Sequence, residues 1–192
     1  MDVDPIRQFS RWYAEAQAAS QPEPEAMSLA TATAGGVPSQ RWVLLKGVDE
    51  RGFVFYTNER SRKGVEMAAN PVAALGFRWG LLDRQVRITG SISRVGDEEA
   101  DRYWTTRARG SQLGAWASEQ STVIASREVL EDCLAEVEVR FRGVDVPRPP
   151  WWGGYVVAPA TVELWQDRRD RLHDRLLYRR EADGWVIERV SP

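Results

Sequence analysis

Residues 40–57 have the sequence QRWVLLKGVDERGFVFYT, in which two apolar runs flank a polar turn at residues 49–52. The runs are rich in β-branched and aromatic residues and the turn ends in glycine, which is typical of two consecutive strands. The stretch therefore predicts strands over residues 40–48 and 53–57, joined by a turn.

The same pattern continues on both sides of this stretch, with turn signals between the runs. Further strands are predicted over residues 27–33, 72–79, 85–95, 154–157, 161–166, 175–180 and 185–190. Helical spacing of apolar residues predicts helices over residues 4–19 with Asp4 as the N-cap, 61–69, 97 through the region of Arg107, and 126–141. Because helices interrupt a succession of strands and do not alternate with them, we expect an antiparallel barrel with flanking helices, an α+β fold that is mainly β.

The composition fits a soluble protein with an apolar core. Of the 192 residues, 43% are hydrophobic and 28% are charged, and the formal net charge is −2. We expect residues 1–192 to form a single domain, in which residues 1–22 are an N-terminal helix and linker. A net charge near zero provides no basic field for nucleic acid, and no run is long and apolar enough to cross a membrane.

The chain has one cysteine, Cys133, and one histidine, His173. A single cysteine excludes an internal disulfide and fits a reducing cytoplasm. One cysteine and one histidine also argue against a zinc site built from protein side chains. We therefore expect a cytoplasmic protein with no resident metal.

Tyr103, Arg107 and Ser111 recur at steps of four in YWTTRARGS, residues 103–111. On a helix this spacing places the three side chains on nearly one face. A phenol, a guanidinium and a hydroxyl can all donate hydrogen bonds to a phosphate, and Gly110 can end the helix beside them. The alternative is a solvated helix face.

A second candidate is YTNERSRKG, residues 56–64. Ser61 can cap a helix that begins with Arg62 and Lys63. A helix N-terminus with free N–H groups and two cations can hold a phosphate. An ordinary solvated loop is the alternative.

Lys46 ends the run RWVLLK of residues 41–46. Strand alternation places its side chain on the same face as Trp42 and Leu44. It lies either at the wet end of the strand or in a pocket where an anion would justify its burial.

The segment WQDRRDRLHDR, residues 165–175, crowds arginines around the single histidine. Arg171, His173 and Arg175 alternate, so on a strand they share one face, and His173 can bind an anion or transfer a proton near neutral pH. A salt-bridged surface strand is the alternative. Gln85 and Gln120 are further candidates, because an amide can pair with the edge of a flat heterocycle.

Together these segments resemble the pyridoxamine 5′-phosphate oxidase family from Pro5 to the C-terminus. The motifs that carry the resemblance are RWVLLK, FVFYTNERSRKG, RQVRITG, YWTTRARGSQLGAWASEQS, PPWWGGYVVAP and VELWQDRRDRLHDRLLY. The resemblance implies the FMN-binding split barrel, an antiparallel fold, and a homodimer with FMN held between two chains. It also implies oxidation of pyridoxine 5′-phosphate and pyridoxamine 5′-phosphate to pyridoxal 5′-phosphate, with O2 as acceptor, H2O2 as product, and ammonia released from the amine.

The resemblance also assigns residues to two sites. Those implied for FMN are Arg41, Trp42, Val43, Leu44, Leu45, Lys46, Tyr56, Thr57, Arg62, Lys63, Gln85, Gln120, Ser121, Trp165 and Arg175. Those implied for the substrate phosphate are Lys46, Tyr103, Arg107 and Ser111. Arg171 and His173 are implied as the catalytic, substrate-binding residues over the substrate ring.

Two alternatives stay open. A related split-barrel flavin oxidase acting on another ring, such as a phenazine, is expected to lack the substrate-phosphate residues. A non-catalytic protein that binds flavin or pyridoxal phosphate could dispense with Arg171 and His173. The chain carries both sets, which favours the oxidase.

The chain departs from the family pattern at several points that bear on the pocket. Arg78 replaces a usual proline, Trp42 is larger than the usual residue, and Asp167 stands where glycine is expected. Residues 80–82 are less polar than usual, and we expect the N-terminal arm to be reduced.

Overall fold

The structure, a computed structural model, describes residues 2–192 of the chain. In that range nine strands form one sheet in which every pairing is antiparallel. They are β1 (Ala26–Ala32), β2 (Pro38–Leu44), β3 (Gly47–Asp49), β4 (Gly52–Asn58), β5 (Val72–Trp79), β6 (Arg84–Arg94), β7 (Trp152–Gln166), β8 (Asp174–Glu181) and β9 (Gly184–Arg189). The predicted antiparallel fold, mainly β with flanking helices, is confirmed.

The strand order is β2-β1-β5-β6-β7-β4-β3, with β8 paired to β7 and β9 beyond β8. Strands β2 and β3 follow one another in sequence but lie at opposite ends of this order. The sheet curves into a half-barrel, so the short link between them crosses from one edge to the other.

Strand β7 pairs with three other strands. Strand β6 pairs along most of its length, β4 pairs with residues 152–157, and β8 pairs with residues 161–166. The prediction of two separate strands over residues 154–157 and 161–166 is wrong, because the strand continues through Pro159 at an irregularity opposite Thr89 and Gly90. Proline has no N–H to donate to a neighbouring strand, and a bulge is a place where a sheet tolerates that missing hydrogen bond.

The prediction of one strand over residues 40–48 is also wrong. Strand β2 ends at Leu44, and Leu45 turns into the core, where its side chain is 5% exposed. The Lys46 N–H then donates to the Val54 carbonyl at 2.8 Å. Burial nevertheless keeps alternating through this break, because Val43 and Leu45 are covered while Trp42, Leu44 and Lys46 are exposed. Lys46 therefore shares the exposed side with Trp42 and Leu44, at the wet end of the strand.

The described part of the chain contains five α-helices that flank the sheet. They are α1 (Pro5–Ala18), α2 (Arg62–Ala69), α3 (Asp97–Thr105), α4 (Arg109–Ala117) and α5 (Arg127–Arg140). Asp4 caps α1 as predicted, because its side chain accepts a hydrogen bond from the Ile6 N–H at 2.8 Å. Ser61 caps α2 as predicted by accepting from the Gly64 N–H at 3.4 Å.

Two apolar clusters hold these layers together. In the main core, Phe9 of α1 is fully buried and packs edge-on against Phe53 at 4.9 Å and Phe77 at 5.0 Å between ring centroids. The second cluster joins α3, α4 and the end of α5 to the start of β7, and Tyr56 packs against it. Its buried members are Trp104, Leu113, Phe141, Val146 and Trp152. This second cluster places α3 and α4 beside the end of β4.

Among residues 2–192, no helix is long and apolar enough to span a membrane. The same residues contain no group of three or more His, Cys, Asp or Glu side chains placed to hold a metal ion.

We expect Phe9→Ala to lower the free energy of unfolding by about 3–5 kcal/mol, because it leaves a cavity where a buried ring stood. Arg11→Ala, on the exposed side of α1, is the matched control and should change stability by no more than about 0.5 kcal/mol. Urea unfolding followed by tryptophan fluorescence measures both. Equal effects would contradict the role of α1 in closing the core.

Candidate active site

The helix predicted from residue 97 through the Arg107 region breaks between α3 and α4. The hydroxyls of Thr105 and Thr106 donate to the carbonyls of Arg102 and Tyr103, at 2.8 Å each. Such local bonds compete with the helical ladder. Ala108 then adopts a non-helical conformation with φ −56° and ψ 138°, so a new helix begins at Arg109.

The expected alignment of three side chains on one helix is therefore wrong. Tyr103 lies on α3, Arg107 lies in the break, and Ser111 lies in the first turn of α4. Gly110 is inside that first turn and does not end a helix.

A cavity of about 320 Å³ nevertheless brings Arg107 and Ser111 together, between α4 and the end of β4. Tyr56, Thr57 and Gln120 also line this cavity. Tyr103 stands behind Tyr56, stacked on it with 3.9 Å between ring centroids. Segments far apart in sequence thus bring six predicted residues into one place.

Arg107 contributes a half-buried cation to this cavity. Its guanidinium lies over the Trp152 ring, 4.8 Å from the centroid, and its Nη2 donates to the Ser111 carbonyl at 3.0 Å. Burial lowers the pKa of Arg107 below its ordinary value. Its Nε is buried and has no acceptor within residues 2–192. Because an unpaired buried donor is costly, this atom suits an anionic ligand.

Lys63 supplies a second and more deeply buried cation, with 8% of its surface exposed. Its Nζ donates to Gln120 Oε1 at 2.6 Å and to the hydroxyls of Thr57 and Ser61 at 3.1 Å each. All three acceptors are neutral oxygens. Burial, with a smaller contribution from the charge of Arg41, lowers the pKa of Lys63 to about 8. A buried cation that meets only neutral partners gains most from an added anion.

The start of α2 holds Lys63 in this position. A Cβ on Gly64 would lie 2.1 Å from the Glu59 carbonyl oxygen, so only glycine permits the helix to begin this close to the preceding turn. The Ser61 hydroxyl donates to the Asn58 carbonyl at 2.6 Å and accepts from both Lys63 and Gly64. The N-cap of α2 therefore also fixes the lysine.

Arg62 and Arg41 are paired with Glu66, a buried carboxylate that was not among the predicted residues. Arg62 Nε lies 2.9 Å from Glu66 Oε1, and Arg41 Nη2 lies 3.4 Å from Oε2. Burial acts to raise the pKa of Glu66, but hydrogen bonds from Ser39, Thr31 and Arg62 outweigh it and lower the pKa to about 2. The i, i+4 spacing of Arg62 and Glu66 on a predicted helix was the one feature of the sequence that could have indicated this ion pair.

A second group of predicted residues lies elsewhere on the sheet. Gln85, Trp165 and Arg175 are directly opposite one another on β6, β7 and β8. Directly opposite residues point to the same side of a sheet, so the three form a row. Arg175 also donates from Nε to Oε1 of Glu163, on the neighbouring strand β7, at 2.8 Å.

Arg171 and His173 precede β8, which begins at Asp174. The prediction that Arg171, His173 and Arg175 alternate along one strand is wrong. Residues 169–171 form a 3-10 turn, and Arg171 has a left-handed φ of 61°, which a strand does not accommodate. His173 packs on Trp165 with 4.5 Å between ring centroids and so belongs to the second group.

The remaining predicted residues lie outside both groups. Trp42, Val43 and Leu44 line a shallow depression beside Arg78, where Trp42 is 66% exposed. The others are Leu45, buried in the main core, Lys46, exposed just after β2, and Ser121, exposed just after Gln120.

The two groups belong to opposite ends of β7. Thr57 pairs with Gly153 at one end, and Arg175 pairs with Trp165 at the other. Residues 153–165 of an extended strand cover about 40 Å of chain. The two groups of one chain therefore do not surround a common small ligand.

Other proteins of known structure share this fold. PhzG from Burkholderia lata 383, solved in complex with tetrahydrophenazine-1-carboxylic acid, matches with a TM-score of 0.94 and 35% identity over 100% of this chain and 94% of that one. A pyridoxamine 5′-phosphate oxidase-related, FMN-binding protein from Nostoc punctiforme has a TM-score of 0.78 and 18% identity, with 100% of both chains covered. The chain is a split-barrel protein of this class, as predicted.

The chain belongs to the pyridoxamine 5′-phosphate oxidase family. The family model described as pyridoxamine 5′-phosphate oxidase matches residues 14–141, and the model of the pyridoxine 5′-phosphate oxidase C-terminal dimerisation region matches residues 152–192. A pyridoxine/pyridoxamine 5′-phosphate oxidase from Rubrobacter xylanophilus is 61% identical over 100% of this chain and 88% of its own length. Another, from Cupriavidus pinatubonensis, is 56% identical over 98% of this chain and 89% of its own length. The predicted family is confirmed.

We expect Lys63→Met to raise the free energy of unfolding of the ligand-free protein by about 1–3 kcal/mol near neutral pH, because it removes a buried charge. As the pH rises from about 8 towards the unfolded value of 10.5, native Lys63 loses its proton before the unfolded chain does. The wild type therefore gains stability over this window, and the advantage of methionine shrinks.

Urea unfolding at about pH 7 and about pH 9.5, either side of the folded pKa, measures the effect. The chain's other lysine, Lys46, is exposed, so Lys46→Met is the matched control and should show little change at either pH. A loss of stability at both pH values in Lys63→Met would contradict the cost assigned to burying this charge.

Proposed function

We propose that the protein is an FMN-dependent oxidase that converts pyridoxine 5′-phosphate and pyridoxamine 5′-phosphate to pyridoxal 5′-phosphate. O2 is the final acceptor, H2O2 is formed, and ammonia is released from the amine. The observation that carries the proposal is a pair of desolvated cations beside one cavity, Lys63 and Arg107, which suit two phosphorylated ligands. The names of relatives at 61% and 56% identity support the choice of substrates.

The residues present fit FMN. Lys63 suits its phosphate, because a buried ammonium that meets three neutral oxygens would gain an opposite charge. Leu45 can contribute only its backbone, since its side chain lies in the core. When bound, FMN supplies the redox chemistry, accepting a hydride equivalent from the substrate and passing electrons to O2. The other proposed contacts are Arg41, Trp42, Val43, Leu44, Lys46, Tyr56, Thr57, Arg62, Gln85, Gln120, Ser121, Trp165 and Arg175.

The substrate phosphate is proposed to bind Lys46, Tyr103, Arg107 and Ser111. Arg107 offers a buried Nε that lacks an acceptor within the described residues, and Ser111 lines the same cavity. A phosphate there would satisfy that donor through a charge-assisted hydrogen bond. These contacts lie away from the reacting carbon, so their binding energy orients the substrate ring for the reaction.

A complete site requires a second copy of the chain, and we propose a homodimer. The Trp165 and Arg175 group of one chain would meet the Lys63 and Arg107 group of its partner, because the two groups of one chain are far apart along β7. The match of residues 152–192 to a dimerisation region supports this arrangement. Arg171 and His173 would then face the substrate ring, where Arg171 orients the reacting substituent and His173 assists binding or proton movement.

A flavin oxidase acting on a phenazine-type ring is the second candidate. It is favoured by the TM-score of 0.94 to PhzG. Arg107 Nε does not separate the two candidates, because the carboxylate of tetrahydrophenazine-1-carboxylic acid can also accept from it. The presence of the whole set proposed for the substrate phosphate, Lys46, Tyr103, Arg107 and Ser111, favours the phosphorylated substrates.

Turnover in air tests the proposal and separates the two candidates. The purified protein is loaded with FMN and given pyridoxine 5′-phosphate or pyridoxamine 5′-phosphate, while aldehyde and H2O2 are followed. We expect aldehyde and peroxide in equal amounts from each. Failure to bind FMN, or turnover of neither phosphate, would overturn the proposal. Oxidation of tetrahydrophenazine-1-carboxylic acid in their place would establish the second candidate.

We expect Arg107→Ala to raise KM about 10- to 100-fold for both substrates, because it removes a charged donor to the substrate phosphate. The affinity for FMN should stay as in the wild type. Arg102→Ala removes a charge from the exposed side of α3 and is the matched control, with both constants unchanged. Steady-state kinetics and a fluorescence titration of FMN measure the two effects. Loss of FMN with an unaltered KM would show that the two phosphate sites are wrongly divided.

A further inference from the structure

Glu66 is a buried carboxylate of α2 that lies one helical turn after Arg62. Its side chain is 5% exposed, whereas that of Arg62 is 59% exposed. Burying an ionised carboxylate costs free energy, and an ion pair with a mostly exposed arginine returns little of it. The ion pair by itself therefore adds little to the stability of the fold.

The two oxygens of Glu66 have separate partners. Oε2 accepts hydrogen bonds from the hydroxyls of Thr31 on β1 and Ser39 on β2, at 2.5 Å each, and a longer one from Arg41 Nη2 at 3.4 Å. Among the described residues, Oε1 accepts only from Arg62 Nε, at 2.9 Å. Glu66 is thus fixed to the sheet through one oxygen, which leaves the other as a rigid acceptor for Arg62.

Arg41 does not depend on Glu66 for its position. Its Nη1 donates to the Leu29 carbonyl at 3.2 Å, and both of its terminal nitrogens donate to strand hydroxyls. The 3.4 Å contact with Glu66 is longer than any of these. Removing the carboxylate therefore acts mainly on Arg62.

The contact with Glu66 leaves most donors of Arg62 free. Within residues 2–192, only its Nε has a hydrogen-bond acceptor. The four N–H groups of Nη1 and Nη2 are therefore available to a ligand, in the planar fork that suits phosphate oxygens. The next residue is Lys63, the buried cation proposed to bind the FMN phosphate. Without Glu66, an exposed arginine samples many rotamers, and ordering it on binding lowers the affinity.

We propose that Glu66 is a positioning residue that fixes the guanidinium of Arg62 for binding the phosphate of FMN. The inference rests on the proposed function, in which Arg62 and Lys63 contact FMN. Because Glu66 holds Nε, the terminal nitrogens of Arg62 are in place before the ligand arrives, and less side-chain entropy is lost on binding. The negative charge of Glu66 by itself repels a phosphate, so its benefit lies in the hydrogen bond and not in the charge.

Two neutral substitutions separate the hydrogen bond from the charge. Glu66→Gln keeps an acceptor for Arg62 Nε, and its amide can donate to the hydroxyls on β1 and β2. Glu66→Met is similar in size and lacks that acceptor. A fluorescence titration of the flavin-free protein measures the affinity for FMN and for riboflavin, which has no phosphate. We expect Glu66→Met to bind FMN about fivefold more weakly than Glu66→Gln, because Arg62 must then be ordered on binding. The two variants should bind riboflavin equally.

The difference between the two variants should depend on Arg62. In an Arg62→Ala background, Glu66→Met and Glu66→Gln should bind FMN equally, since the group that Glu66 positions is absent. The matched control is Glu131 on α5, whose Oε1 lies 2.7 Å from Arg127 Nε with the same i, i+4 spacing. Glu131→Met and Glu131→Gln should not differ in their affinity for FMN.

Equal affinities for FMN in Glu66→Met and Glu66→Gln, or tighter binding in the methionine variant, would overturn the proposal. A difference that persists in the Arg62→Ala background, or that is as large for riboflavin, would do the same, because it would reflect the fold and not the phosphate contact. If Glu66→Met does not fold, Glu66→Asp is compared with the wild type. It keeps the charge but shortens the side chain, so we expect FMN to bind about fivefold more weakly. Equal binding in Glu66→Asp and the wild type would contradict the role of Glu66.

The wild type separates a failure of this inference from a failure of the proposed function. Wild-type protein that binds FMN no more tightly than riboflavin would contradict the phosphate site of the proposed function, and with it the role of Glu66. Tighter binding of FMN than of riboflavin in the wild type, with no difference between Glu66→Met and Glu66→Gln, would leave the phosphate site standing and overturn only the role of Glu66.

Discussion

Strand β7 sets the constraint on which the arrangement of the candidate site depends. Its first half pairs with β4, whose end leads to α2 and Lys63, and its second half pairs with β8, which carries Arg175. An extended strand keeps its ends apart, so pairing along β7 separates the two groups of site residues within one chain. The same separation lets two chains supply complementary halves, which is the basis of the dimer that we propose.

The charges at the first half of the site are distributed unequally. Arg41 and Arg62 share one counter-charge, Glu66, whereas Lys63 meets neutral oxygens and Arg107 keeps a buried donor without an acceptor in the described residues. Burying cations in this way lowers the stability of the ligand-free protein. Such a cost is common where a site is built for a ligand and not for the stability of the fold.

The features of the fold that local sequence determines could be predicted. The caps Asp4 and Ser61 satisfy N–H groups within three residues of themselves, so their local sequence was sufficient. The strand break at Leu45 and the helix break before Arg109 could not be predicted in this way. The first arises because the chain leaves its pairing with β1 at Leu44 and pairs with the distant strand β4 from Lys46 onward, and the second because threonine hydroxyls compete for helix carbonyls.

The candidate site shows the same difference between features that local sequence determines and features that depend on long-range contacts. The hydrogen bond from Lys63 to Gln120 joins residues 57 positions apart, so no periodicity links them, and only the family resemblance placed Gln120 in the site. Glu66 was not predicted as a site residue because a carboxylate four residues after an arginine on a helix is typical of an exposed ion pair. The position of His173 depends on the left-handed turn at residues 170–171, which a regular strand pattern does not anticipate.

The central claim is that one active site draws on both chains of a dimer, and complementation between two variants tests it most directly. Lys63→Met and Arg175→Ala each disable one half of the site, so each homodimer should be inactive. In a dimer that contains one chain of each kind, one site carries both substitutions and the other carries none. Equal mixing makes half of the dimers hybrid, so co-refolded protein should recover about a quarter of the wild-type activity. Activity no higher than that of the separate variants, in a sample shown to contain hybrid dimers, would contradict the claim.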